Sequence, residues 1–286
     1  MRRILAGLLF IPAAALFASL PGCGKEEKPK TPSTLPPLAS RDSGGKSSGG
    51  GPKKSIEPGK AKLIGRVVLK GDLTKPASLE PVMLENKTDG KFCLMGSEHE
   101  KIDQTWLIGK DKGVANVAIW LNPPDGAEFK VVEDKSDAVI DQPHCVYIPH
   151  VLAVKPGQVL TIKNSASVNH NTKLDVDELV NKKFGQTIPP NGSARHELKP
   201  QSAPVNVACD FHGWMKAKIW VLPHQYVAVS KDDGTFEIDN VPEGEFTIVA
   251  WHEGASPAFF HGGKKGTPIT VKAGDNKLPD IEVSAK

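Results

Sequence analysis

The sequence predicts an all-β protein built from two sandwiches, and three observations carry that prediction. Beyond residue 60 the chain consists of short apolar runs bounded by Gly, Pro, Asn and Asp, with no long capped segment of helical period. Residues suited to tight turns are frequent, with 27 Gly and 24 Pro. At 286 residues the chain is long for one β-domain and comfortable for two, against roughly 100–200 residues per domain.

The chain opens MRRILAGLLFIPAAALFASLPGC. Two arginines, an apolar run and small residues before Cys23 have the layout of a secretory signal, which plays no part in the fold. Leu20-Pro21-Gly22-Cys23 resembles a bacterial lipobox, which implies that Cys23 is lipidated and begins the mature chain. A plain transmembrane anchor is the alternative, and Pro12 in the apolar run speaks against it. Residues 24–60 have no apolar periodicity and are rich in Pro, Gly, Ser and Lys, the composition of a flexible tether. Such a segment reaches about 35 Å on average. The expectation is an exported, periplasmic or cell-surface protein anchored to a membrane by lipid.

Strands are expected in KLIGRVVLKG, VANVAIWLNPP, VLAVKPGQVLTIKNS, MKAKIWVLP and GTFEIDNVPEGEFTIVAW. Only LDVDELVNKKFG, Leu174–Gly185, reads as a turn or two of helix. Asp233-Gly234 and Pro242-Glu243-Gly244 supply the backbone freedom and rigidity of tight reversals. The run SKDDGTFEIDNVPEGEFTIVAWHEG resembles the closing hairpin of transthyretin-like, carboxypeptidase-regulatory-type domains. AKLIGRVVLKG and GVANVAIWLNPP resemble the opening strands of that family. About a hundred residues separate the two parts, room for one further small β-domain. The resemblance implies a host sandwich split as 61–125 and 223–286 around an insert at 126–222. Two domains in plain succession are the alternative.

Within VNVACDFHGWMKAKIWV, Cys209, His212 and Met215 place a thiol, an imidazole and a thioether on one short loop. Thiolate and imidazole with a weak thioether suit copper. Zinc accepts Cys and His, but Met serves it poorly. One more imidazole is needed. Upstream, Val154, Gly157 and Asn164 precede His170-Asn171 in PHVLAVKPGQVLTIKNSASVNHNTKL. Both motifs together, over roughly residues 140–222, resemble the blue-copper cupredoxins plastocyanin, amicyanin and pseudoazurin. The resemblance implies a Greek-key cupredoxin sandwich with one type 1 copper held by His170, Cys209, His212 and Met215. It also implies that Asn171 ties the two ligand segments together. Asp210 stands where the family often has Ser or Thr, so its carboxylate is expected either to accept a hydrogen bond or to lower the reduction potential. Phe211 and Trp214 would shield the loop, or serve as ordinary core aromatics. His212, on a surface loop, would be the electron exit towards a redox partner such as a c-type cytochrome or another copper protein.

An oxidising compartment requires the thiols to be accounted for. If lipid takes Cys23 and metal takes Cys209, Cys93 and Cys145 remain as a disulfide pair, worth about 4 kcal/mol if unstrained. Two free thiols, or Cys145 with His144 and His150 as a second metal site, are the alternatives. Trp251-His252-Glu253 reads as an exposed or core-edge histidine in preference to a second site. The net charge of +3, with lysines gathered near the N-terminus, gives no nucleic-acid footprint. No hydrolase, transferase or dinucleotide motif occurs, so the chain is expected to be no enzyme. A copper carrier or store, and a cell-envelope interaction module, are the rival functions.

Overall fold

The computed structural model describes residues 52–73 and 75–285. The signal segment, Cys23 and most of the expected tether lie outside the described residues. The described residues open with β1 (Lys54–Ile56) and β2 (Ala61–Leu69), then two short helices, α1 (Glu80–Glu85) and α2 (Gly90–Cys93). Next come β3 (Ala118–Asn122), β4 (Ala127–Phe129), β5 (Asp137–Ile140), β6 (Val151–Val154) and β7 (Val159–Lys163). They are followed by β8 (His170–Asp175), β9 (Phe184–Ile188), β10 (Ser193–His196), β11 (Val205–Ala208) and β12 (Lys216–Val221). The chain closes with β13 (Val227–Val229), β14 (Thr235–Val241), β15 (Gly244–Trp251), β16 (Thr267–Val271), β17 (Asp275–Lys277) and β18 (Ile281–Val283).

The fold is all-β and contains two sandwiches. In the first, a sheet ordered β13-β3-β15-β16 faces one in which β2 pairs with β14, β17 and β18. Strict alternation along β2 turns Leu63, Val67 and Leu69 inward, onto Ile119, Leu121, Phe236 and Ile248. Each fully buried side chain of this size contributes about 1.5–3 kcal/mol. Gly65 is required here. It pairs with Phe236, and a Cβ at residue 65 would stand 2.3 Å from the end of that ring.

The second sandwich packs the sheet β10-β7-β5 against β6-β12-β11-β8-β9. Its core holds Tyr147, Leu160, Ile162, Leu174, Val207 and Ile219. Strand β12 is buried on both faces. Ile219 and Val221 point into this core, while Trp220 joins Trp120, Val151 and Trp251 in a third cluster against the first sandwich.

Several expectations need correction. Residues up to 60 were expected to be tether, yet Lys54–Ile56 pairs in parallel with Ala127–Phe129. The segment expected to belong wholly to the host sandwich sends α1 and α2 onto the second one, burying Met83 and Cys93 in its core. Conversely, Phe129, expected in the insert, packs in the first core against Tyr226 and Phe246. The helical reading of Leu174–Gly185 fails. Leu174 belongs to β8, and beyond that strand the chain makes a single turn in which the Asp177 carbonyl accepts the N–H groups of Val180 and Asn181. Helix forms instead at α1, where Pro81 in the first turn has the fixed φ a helix start favours.

Candidate metal centre

Strand pairing brings the two ligand segments together. β11 and β12 form an antiparallel hairpin, and β11 also pairs with β8, which begins at His170. The seven residues Cys209–Met215 therefore bulge from the hairpin end beside His170. Two backbone bonds fold them back, Met215 N–H to the His212 carbonyl at 2.8 Å and Cys209 N–H to the Met215 carbonyl at 3.4 Å. Upstream, the buried Asn164 amide shapes the approach to His170. It donates to the carbonyls of Val168 and Ile188 at 2.9 and 2.8 Å and accepts from Ala166 N–H at 3.0 Å.

The donors converge. His170 Nδ1 lies 3.1 Å from His212 Nδ1, and Cys209 Sγ lies 3.7 Å from the latter. All three donor atoms fall within 4.8 Å of one another. His170 and His212 are fully buried and Cys209 is 3% exposed. Met215, from the same loop, is buried in the same core cluster. With metal bonds of about 2 Å to nitrogen and about 2.3 Å to sulfur, donors on one ion stand no more than about 4.3 Å apart. The His170–His212 and Cys209–His212 separations of 3.1 and 3.7 Å fall inside that limit.

Burial also sets protonation. It pushes His170 down to about 4, with His212 beside it acting in the same direction. Burial lowers His212 too, opposed by Asp89. Both imidazoles are thus held in the neutral form that binds metal. Burial raises the Cys209 thiol, while the backbone N–H groups of Asn171, Phe211 and His212 act against that rise. Those donors stabilise a thiolate once a cation replaces the proton.

Asn171 Oδ1 accepts the Asp210 N–H at 3.2 Å, linking the His170 strand to the Cys209 loop. Asp210 makes this bond with its backbone. The residue is exposed, and its negative charge raises the thiol. Trp214 stands 5.3 Å from the His212 ring and donates its indole N–H to the Cys145 carbonyl at 3.1 Å. Phe211, by contrast, is 47% exposed and is no core aromatic.

The expected exposure of His212 on a surface loop is not found. His212 is fully buried because the α1–α2 segment covers it. Asp89 Oδ2 is 3.2 Å from His212 Nε2, and the Asn86 amide reaches the Phe211 carbonyl at 3.4 Å. Cys93 and Cys145 form a disulfide whose sulfurs lie within 4.8 Å of a His212 ring nitrogen. This closes the alternative of Cys145 with His144 and His150 as a metal site. His144 pairs with Glu100 at 2.8 Å, and His150 pairs with Glu253. His252 is neither exposed nor at a core edge, being fully buried with its ring 4.0 Å from that of Trp106.

Sequence reasoning missed Asp89 and Asn86, which stand more than a hundred residues from the loop they touch. It also missed Tyr147, whose hydroxyl donates to the Asn171 carbonyl at 3.0 Å beneath the site. No local pattern marks any of the three.

Residues 202–278 match the family model described as polysaccharide lyase family 4, domain II. No curated protein matches the chain. Among solved structures, a purple cupredoxin from Nitrosopumilus maritimus is 21% identical over 30% of this chain and 100% of its own, with a TM-score of 0.25. An amicyanin variant in its Cu(I) form is 19% identical over 32% of this chain and 86% of its own, with a TM-score of 0.27. The copper-containing nitrite reductase of Thermus scotoductus is 16% identical over 36% of this chain and 25% of its own, also at 0.27.

Proposed function

We propose that this protein is an extracytoplasmic, lipid-anchored copper protein that carries single electrons between redox partners. One observation carries the reading: His170 Nδ1, His212 Nδ1 and Cys209 Sγ converge in a buried space, with Met215 on the same loop. Two imidazoles, a thiolate and a weak thioether are the donor set of a type 1 copper site. A bound copper would supply a one-electron couple.

The chain's own residues would keep that couple fast and selective. Strands β8, β11 and β12 hold the donors in a hydrogen-bonded frame, so the ligand geometry changes little between oxidation states. Asn171 and the backbone N–H groups at Cys209 fix the thiolate. The surrounding core excludes water, which limits side reactions of the sulfur. Export would be served by the signal-like N-terminus and anchoring by Cys23.

The rival reading is a copper carrier or store. Burial of both imidazoles and the thiol speaks against a carrier, which must pass its ion to another protein, and favours a resident ion. Loading purified protein with Cu(II) separates the two. An intense visible thiolate-to-copper band with reversible one-electron reduction supports the electron carrier. A colourless protein that retains Cu(I) alone supports the rival.

A further inference from the structure

The proposed ligand His212 is covered by a segment that arrives from the other sandwich. The chain leaves β2 of the first sandwich, forms α1 and α2, and is pinned to the second by the Cys93–Cys145 disulfide. At its turn, Asn86 Oδ1 accepts the N–H groups of Thr88 and Asp89 at 3.1 and 2.9 Å. The Asn86 amide donates in turn to the Phe211 carbonyl on the metal loop. These bonds place the Asp89 carboxylate 3.2 Å from His212 Nε2, although 123 positions separate the two residues in sequence. Among the described residues His212 Nε2 is buried and has no aligned hydrogen-bond partner, so the Asp89 carboxylate 3.2 Å away acts on it as a neighbouring charge.

We infer that Asp89 is a positioning residue for His212, holding the ring in the tautomer that carries its proton on Nε2 and presents a bare Nδ1 to the metal. This rests on the copper reading for its consequence, though not for its geometry. Nδ1 faces Cys209 and His170, so any metal bound there requires the lone pair of Nδ1 and leaves the proton on Nε2. A carboxylate at Nε2 stabilises that proton and makes the imidazole a stronger donor, which favours the more highly charged Cu(II) over Cu(I). The covering segment, at first sight an obstacle to electron exit, thus sets a carboxylate at Nε2 of His212, separate from the Asp210 charge beside the thiol.

Asp89→Asn tests this, because it keeps the shape and removes the charge. Nitrogen-15 NMR of the metal-free full chain should show His212 as the Nε2–H tautomer in the wild type. The variant should show a mixture of both tautomers. In copper-loaded protein the variant should keep one copper and its colour, but bind Cu(II) about 10–100-fold more weakly and have a raised reduction potential. Asp89→Glu should restore part of both. An unchanged tautomer together with an unchanged potential overturns the assignment. If the wild type takes up no copper at all, the copper reading fails, and the tautomer measurement still decides the role of Asp89. A thermal midpoint equal to that of the wild type shows that the variant has folded.

Discussion

Trp120 of β3 and Trp220 of β12 pack with ring centroids 4.9 Å apart and planes tilted by 44°, and they belong to different sandwiches. Trp251 approaches Trp220 from β15 at 5.4 Å. Trp220 therefore joins the two sandwiches from a strand whose opposite face closes the core around the Cys209–Met215 loop. Trp220→Ala should cost about 3–5 kcal/mol of stability in denaturant unfolding. Among the described residues the indole N–H has no partner, so little of that loss is hydrogen bonding. A cost below about 1 kcal/mol would mean that the junction carries little of the fold.

The Cys93–Cys145 bond closes a loop of 52 positions. Chain entropy gives such a crosslink about 4 kcal/mol. The double variant Cys93→Ala, Cys145→Ala should lose up to that much. It should also release copper to a chelator faster than wild type, because the bond fastens the cover over His212. Equal release rates would separate the cover from metal retention.

Acid should destabilise the protein through buried histidines outside the Cys209–Met215 loop. Burial holds His224 at about 4 in the folded state, against an ordinary value of 6.5. The unfolded chain binds the proton first, so the contribution is complete above about pH 6.5 and is lost as pH falls towards 4. For one such group the loss between about pH 7 and pH 5 is about 2 kcal/mol. His224→Gln should flatten the pH dependence of the unfolding free energy by that amount. An unaltered slope would show that His224 takes its proton without unfolding.

Asn171 should matter to metal retention more than to folding. Its amide oxygen receives the Asp210 N–H on the surface side of the loop. Asn171→Ala removes that link between β8 and the loop, and should weaken Cu(II) binding about 10–100-fold. Titration against a competing chelator measures this directly. Unchanged affinity would show that the Asn171–Asp210 link does not organise the site.

Much of the β-structure was legible because strand and turn signals are local. The apolar alternation of Ala61–Leu69 and the Pro156-Gly157 turn need no distant information. The clustering of His170, Cys209 and His212 was legible for the same reason, since Cys209 and His212 share one short loop and His170 opens a strand with Asn beside it. What escaped was set by packing across the chain. Helix at Glu80–Glu85 is only six residues long, too short for a periodic signal. The burial of His212 depends on Asp89 and Cys93, whose proximity is fixed by a tertiary crosslink. The exposed histidine expected from the loop alone was thus covered by a segment that the loop does not encode.

The most direct test is a Cu(II) titration of the purified chain and of Cys209→Ser, monitored by visible absorption. The convergence of His170, Cys209 and His212 predicts one copper per wild-type chain and an intense thiolate band, bleached by one-electron reduction and recovered on reoxidation. The band should be absent in Cys209→Ser at unchanged circular dichroism. A wild-type protein that stays colourless, or a band that survives the loss of the thiol, would contradict the account.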